Sequence, residues 1–376
     1  MIDLKINNLK QSIEHAKHGQ AFLDSLPSKA LIELTQNCNL KCKMCPQSWD
    51  PAYAHYRSSF NMEVSIFRRI VDELFPYLIM VDLRGFGESL MHPEIELILD
   101  IMSDHDHIDW HLVSNLAVHR NKVWIKLMQM GFTVGASFDG SNQDIFGAIR
   151  GGALIESVLS NLRRVVRARD KAGSGHIYFL TTLQRDNLID LKNIVEVAHQ
   201  EGVREIRVRP ILYGKEKDFT VHPPDLIKYS VQAAIDLADR YQIALDISDK
   251  RIGDLVGQWQ SRRSLEGSLR YSRFWGADEV VELEKTEGAW LNGRENVASN
   301  QSCWKPYSLV YISCNGDVGP CNHMMYPNLT KFGNLKDSAM SEIWNSAAYA
   351  GFRRGLSKAN PMDARCKWCF SNRTAD

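Results

Sequence analysis

At 376 residues the chain is long for a single hydrophobic core, so a main domain with a smaller second one is expected. Its 45 basic and 45 acidic residues balance, which leaves no basic excess for nucleic acid and no acidic tail. No apolar run is long enough to span a bilayer and the polar N-terminus lacks a secretion core, so a cytoplasmic protein with no nucleic-acid or membrane partner is expected.

In chain order, the apolar spacing predicts a helix over residues 9–26, stopped by Pro27. A repeating alternation follows. Short β-rich runs fall at 31–35, 79–84, 110–113, 133–137, 177–181 and 205–209. Between them lie amphipathic stretches long enough for helices, at 63–75, 94–103, 122–130, 154–172 and 187–201. Strands each followed by a helical crossover argue for parallel pairing in an α/β fold, and right-handed crossovers curl such a sheet toward a barrel. In such folds chemistry sits at the C-terminal strand ends. After Gly214 the alternation is expected to stop. The stretch "HPPDLIKYSVQAAIDLADRY" reads as a helix, and "SRRSLEGSLRYSRFWGADE" as an irregular linker or surface insertion.

All eight cysteines fall in two groups, with none between Cys45 and Cys303. In a reducing compartment such clustering points to metal or redox chemistry. The first group, "NCNLKCKMCPQS", directly follows the first β run and spaces Cys38, Cys42 and Cys45 as C-x3-C-x2-C. Structural zinc closes on four ligands, and an ordinary iron–sulfur cube also takes four cysteines. Three thiolates on one tight loop leave one metal corner open, a place to bind and activate something.

The loop resembles the signature of the radical SAM superfamily, C-x3-C-x-φ-C after the first barrel strand, with Met44 at φ. The resemblance implies a 4Fe-4S cluster on the three thiolates, its fourth iron chelated by S-adenosylmethionine. Reductive cleavage of that cosubstrate then yields a 5′-deoxyadenosyl radical that abstracts hydrogen. Other motifs agree. "LRGFGES" resembles the family's GGE motif, with Gly85 and Gly87 allowing close backbone approach and Glu88 taking the methionine ammonium. "VSNL" brings Ser114 and Asn115 to a strand end as ribose or carboxylate contacts. "GASFDG" brings Ser137 and Asp139, and Arg150 follows in "IRGG". Taken singly, a Ser or Asp at a strand end is as readily a turn or cap residue.

The second group runs from Cys303 through Gly316 to Cys321, then to Cys366 and Cys369 as C-x2-C. Together with "FGNLKDSAMSEIWNS" it resembles the SPASM and twitch modules of radical SAM enzymes. No cysteine follows Cys369, so the match is to the shorter twitch form. The resemblance implies one auxiliary 4Fe-4S cluster on Cys303, Cys321, Cys366 and Cys369; four thiolates also suit zinc. Cys314 is left over, either as a small buried residue, an alternative ligand or a hydrogen-atom donor. The implied fold is a partial (β/α)6 TIM-like barrel with a small C-terminal iron–sulfur domain. Its expected parts are a helical extension (1–29), a radical SAM core (30–214), a linker or insertion (215–301) and the cluster domain (302–376).

A fully ligated auxiliary cluster has no room for substrate, so a redox role is implied, as in the similar twitch-bearing 2-deoxy-scyllo-inosamine dehydrogenase. The expected reaction is oxidation of an alcohol on a small molecule, a sugar or aminocyclitol, with a flavodoxin- or ferredoxin-like reductant. Arg150, Arg207, Arg209 and Glu216 are candidates for the base. The alternatives are an epimerase using Cys314 as donor, a ribosomal-peptide maturase and a non-enzymatic iron–sulfur scaffold. Only about thirty residues precede the first strand, too few for a separate leader-binding domain.

Overall fold

The computed structural model describes residues 2–54, 61–211, 217–247, 249–256, 303–325, 329–356 and 362–372. The strands are β1 (Lys29–Ile32), β2 (Met80–Asp82), β3 (Asp109–Ser114), β4 (Thr133–Ser137), β5 (His176–Leu183), β6 (Glu205–Pro210), β7 (Ala244–Ile247), β8 (Leu309–Ile312), β9 (Asp317–Gly319) and β10 (Gly333–Asn334). From β1 to β6 each strand is followed by helix before the next begins, the pattern of a partial (β/α)6 barrel. Among the described residues no helix is long and apolar enough to cross a membrane.

These residues pack as two compact units. The first lies within Met1–Asn37, Ser58–Trp110 and Ser268–Arg373. Its strands run in the order β10-β9-β8-β1-β2. β1 pairs parallel with β2 on one side, Lys29 opposite Met80, and with β8 on the other, Lys29 opposite Leu309. β8 then turns back antiparallel into β9 through Gly316, whose φ of +89 is where a glycine is at ease. Leu31, Leu309 and Tyr311 form an apolar cluster at the β1–β8 seam, with Trp304, Met325 and Leu329 packed on it.

The second unit lies within Cys38–Arg57 and His111–Gly267. It holds the run β3-β4-β5-β6-β7, parallel throughout. β4 is buried at every position, as expected of a parallel strand covered on both faces. Trp124, Phe132, Phe138 and Phe146 fill the interior, with Phe138 stacked on Phe179 at 4.4 Å.

Three expectations differ from what is observed. The N-terminal helix is Ile2–His18, not 9–26, because Gly19 at φ +64 takes the left-handed position that ends it. The helix expected at 187–201 is Leu191–Gln200, preceded by a 3-10 turn, Arg185–Asn187, in which the Asn187 side chain accepts from the Gln184 N–H at 2.9 Å. The alternation also continues beyond Gly214. Helix Pro224–Tyr241 leads into β7, which pairs parallel with β6, Glu205 opposite Ala244. A four-residue strand with a central aspartate, Asp246, offers too little pattern to read. Glu216 and the irregular 261–279 stretch lie outside the described residues.

Candidate functional site

In the second unit the three-cysteine loop is clamped by the segment after β4. The Lys43 N–H donates to the Ile149 carbonyl at 3.0 Å. Gly151, at φ +64, lies so close to the Lys41 backbone that a Cβ there would stand 2.3 Å from the Lys41 carbonyl oxygen. Between these two contacts sits Arg150, 8 % exposed, which ion-pairs with Asp139 at 2.5 Å and feels the charge of Cys42. Asp139 has no exposed surface and also accepts the Thr182 N–H at 2.6 Å. Burial pushes its carboxyl above the usual range, and the Arg150 charge opposes that. The same pairing raises the Arg150 pKa against the effect of burial. The guanidinium therefore stays protonated, which suits a cation that positions Cys42 rather than a base.

The turn inside the loop runs Cys42 to Ser48. The Cys45 N–H donates to the Cys42 carbonyl at 3.1 Å and the Ser48 N–H to the Cys45 carbonyl at 2.9 Å. Cys42 is buried, while Cys38, Met44 and Cys45 are half-buried. Asn115 reaches the loop from the end of β3: its Nδ2 is 3.9 Å from the Cys38 sulfur and donates to the Asn39 Oδ1 at 2.8 Å. Ser114 turns inward, its hydroxyl accepting the Leu116 N–H at 3.1 Å as a turn cap. Ser137, at the end of β4, is buried. Of the other base candidates, Arg207 ion-pairs with Glu205 at 2.6 Å and Arg209 with Asp246 at 2.8 Å.

In the first unit the Gly85–Glu88 loop follows β2. A Cβ on Gly87 would lie 2.1 Å from the Thr35 carbonyl oxygen, so only glycine fits beside the chain that leads into Cys38. The Glu88 N–H donates to the Asn37 carbonyl at 2.8 Å, and Glu88 is 3 % exposed.

The sequence reading missed Glu33. It directly follows β1, is fully buried, and is the base on which this loop rests. Its carboxylate accepts the Phe86 N–H at 2.8 Å, the Tyr311 hydroxyl at 2.7 Å and the Gln36 amide at 3.3 Å. A Cβ on Gly85 would strike its Cγ at 2.3 Å. Burial raises its pKa, and these donors pull it back. The signal was an acidic residue inside the apolar run "LIELT", a place where a charge is kept only if it is paired or hydrogen-bonded. Cys314 lies nearby, just past β8. It is 2 % exposed, and burial, then the Glu33 charge, pushes its thiol up to about 12.

The other four cysteines belong to the same unit. Cys366 and Cys369 stand one turn apart on helix Ala364–Asn372, and Cys321 follows β9. The Lys305 ammonium donates to the Asn322 Oδ1 at 3.0 Å and so ties the Cys303 segment to the Cys321 segment. Burial pushes the Cys321 thiol up to about 11, with Cys303 and Cys369 adding to it; burial pushes Cys366 to about 12, with Cys303, Cys321 and Cys369 adding. Ionising Cys321 and Cys366 in this setting needs the positive charge of bound metal. This donor set fits one iron–sulfur cube. Among the described residues no three His, Cys, Asp or Glu side chains already converge as a metal cage. Donor type, spacing and mutual charge therefore carry the assignment.

Residues 32–198 match the family described as "Radical SAM superfamily", and residues 303–370 match SPASM, an "Iron-sulfur cluster-binding domain". Over 358 residues the chain is 22 % identical to the "Tungsten-containing aldehyde ferredoxin oxidoreductase cofactor-modifying protein" of Pyrococcus furiosus, covering 86 % of this chain and 82 % of the relative. Its structure is similar to Streptococcus suis SuiB bound to S-adenosylmethionine, with a TM-score of 0.61 and 14 % identity over 98 % of this chain and 77 % of that one. SuiB bound to its precursor peptide SuiA gives 0.60 at 14 % identity, over 92 % and 71 %. The protein anSMEcpe with bound AdoMet gives 0.58 at 16 % identity, over 87 % and 82 %. At such identities the structural likeness is one of fold. The cysteine loop, the barrel strands and both family matches agree: residues 32–198 are a radical SAM domain and residues 303–370 a SPASM-type iron–sulfur domain.

Proposed function

We propose that this radical SAM enzyme oxidises an alcohol on a small molecule, with the auxiliary cluster as electron acceptor. Cys38, Cys42 and Cys45 would hold the first cluster, and Cys303, Cys321, Cys366 and Cys369 the second. When bound, the first cluster and S-adenosylmethionine supply a 5′-deoxyadenosyl radical, and the second supplies an electron sink. Glu88 would meet the methionine ammonium, with Gly85 and Gly87 letting the backbone approach. Asn115, Ser114 and Ser137 would line the cosubstrate's polar edge, Met44 would fill the loop's apolar position, and Asp139 would hold Arg150 on Cys42.

The observation that carries the oxidative reading is the separation of the two thiol classes. Cys321 and Cys366 both feel the charge of Cys303 and Cys369, which supports one shared ligand set, while Cys314 is sealed beside Glu33 with 2 % exposure. A sealed thiol is poorly placed to give a hydrogen atom to a substrate, which speaks against the epimerase. A relative named as modifying a cofactor favours a small molecule over a peptide. The likeness to a peptide-bound structure is one of fold.

The balance is simple. With both clusters and S-adenosylmethionine bound, the carbinol would give up one hydrogen atom, one proton and one electron to become a carbonyl, the electron being taken up at the cluster that Cys303, Cys321, Cys366 and Cys369 would hold. A flavodoxin- or ferredoxin-like protein would return electrons to the first cluster. The test is anaerobic turnover with polyols and aminocyclitols deuterated at the carbinol carbon. Deuterium should appear in 5′-deoxyadenosine, with one carbonyl formed per S-adenosylmethionine consumed. A product of unchanged oxidation state carrying solvent deuterium, lost in Cys314→Ala, would replace this reading with the epimerase. Turnover of a peptide alone would replace it with the maturase.

A further inference from the structure

In the same unit as the four C-terminal cysteines lie two buried groups that the proposed reaction leaves unused. Tyr349 has no exposed surface. Its ring is packed by Phe332 at 4.1 Å and by Trp344 at 4.7 Å. Its hydroxyl finds no hydrogen-bond partner among the described residues. A buried O–H left without an acceptor costs about 1–3 kcal/mol, so such a group calls for an acceptor.

Arg353 is the second. It too is fully buried, with its guanidinium 4.3 Å from the Tyr349 ring centre and 4.4 Å from that of Trp344. Its donors go to carbonyl oxygens: Nε to Pro306 at 2.9 Å, and Nη1 to Trp344 at 2.8 Å and Ala21 at 3.0 Å. Nη2 has no partner, and among the described residues no carboxylate pairs with this cation. Burial lowers its pKa to about 10, still well above neutrality, so it remains charged.

Helix Ala347–Arg354 thus carries, among the described residues, a donor without an acceptor and a cation without an anion. Phe332, packed on the Tyr349 ring, lines one cavity with Cys366, and the Arg353 guanidinium is held on Pro306, in the segment that follows Cys303. A cube on four thiolates is net anionic and rich in sulfur acceptors, and it would satisfy both groups at once. We propose that the Tyr349 hydroxyl donates a hydrogen bond to a sulfur of the auxiliary cluster, and that Arg353 behind its ring supplies the balancing positive charge. Both interactions favour the more negative, reduced cluster, so they raise its potential and fit it to accept an electron. This inference rests on the proposed ligand set.

The experiment uses the full chain with Cys38, Cys42 and Cys45 all replaced by Ala, so that only the auxiliary cluster is present, followed by electron paramagnetic resonance during redox titration. Tyr349→Phe keeps the ring and removes the donor. It should keep its iron, while reduction becomes roughly tenfold less favourable, a shift of about 59 mV downward for a one-electron couple. Without any substitution at Tyr349, transfer into deuterium oxide should add an exchangeable deuteron coupling to the reduced cluster's spectrum, absent in Tyr349→Phe. An unchanged potential with full iron, or the same deuteron coupling in both proteins, overturns the hydrogen bond while leaving the ligand set standing. Retention of the cluster in Cys366→Ala/Cys369→Ala overturns the ligand set itself, and this inference with it.

Discussion

The Arg150 guanidinium stands 2.5 Å from the Asp139 carboxylate at a buried position, and the residues on either side of Arg150 touch the backbone of the cysteine loop. The loop therefore has a buried ion pair packed against it, next to Cys42, a proposed cluster ligand. Removing one member of such a pair strands a charge. Asp139→Asn should destabilise the protein by about 3–5 kcal/mol in denaturant melts. The double change Asp139→Leu/Arg150→Met should recover much of that stability yet bind the first cluster poorly, since nothing then orients Cys42. If the double variant loads iron and cleaves S-adenosylmethionine normally, the pair has no bearing on the loop.

Iron content tests the two ligand sets. Anaerobically reconstituted protein should hold about eight irons, two cubes. Replacing Cys38, Cys42 and Cys45 together by Ala should halve that and abolish cleavage of S-adenosylmethionine. Cys314→Ala should change neither the iron count nor the yield of oxidised product. Zinc at the C-terminal cysteines in elemental analysis would remove the electron acceptor and the oxidative mechanism with it.

The Gly85–Glu88 loop should be intolerant of small changes. Glu88→Gln loses a charge-assisted contact to the cosubstrate ammonium, roughly 1.5–3 kcal/mol, or about tenfold or more in affinity. Gly87→Ala meets the Thr35 carbonyl oxygen at 2.1 Å, so it should displace the loop and weaken binding at least as much while the cluster still loads. Calorimetric titration with S-adenosylmethionine measures both. Equal affinity in all three proteins would make the loop a turn and nothing more.

Glu33 should matter through the same loop. Tyr311→Phe removes one donor to a buried carboxylate and should cost about 1–3 kcal/mol of stability. Glu33→Leu leaves the Phe86 N–H without its acceptor and should also weaken cosubstrate binding. A Glu33→Leu protein with lower stability but wild-type affinity would confine Glu33 to a structural role.

Lys5 sets a pH dependence. It is fully buried on the N-terminal helix, donating to the Phe75 carbonyl at 2.8 Å and to the Leu78 carbonyl. Burial lowers its pKa from 10.5 to about 7. Between those values the unfolded chain binds more protons than the folded one, so this group makes stability rise with pH across the window. The slope is at most about 1.4 kcal/mol per pH unit. Chemical denaturation of wild type and Lys5→Met from pH 6 upward measures the difference, with Lys5→Met the flatter. Parallel curves would mean that the two carbonyls keep the ammonium charged at its ordinary pKa.

The amino-acid sequence by itself determined the two cysteine groups from which the proposed ligands come. Cys38, Cys42 and Cys45 lie within one turn of chain, and Cys366 and Cys369 on one helical turn, so their spacing reports their use directly. The β/α alternation was equally legible, because long amphipathic helices such as Ile155–Ala172 write their period into the chain. Only the tertiary structure decided what stands behind those ligands. Asp139 and Arg150 are recognisable singly, but their joint burial against Cys42 depends on a segment a hundred residues away from it in sequence. Glu33 is joined to Tyr311 across 278 positions by the parallel pairing of β1 with β8, a register no local pattern encodes. Tyr349 and Arg353 carry ordinary helical spacing, and what makes them notable is the loss of water around them. Desolvation is a property of the packed neighbourhood, so the charge balance of the site appears only when distant segments close over it.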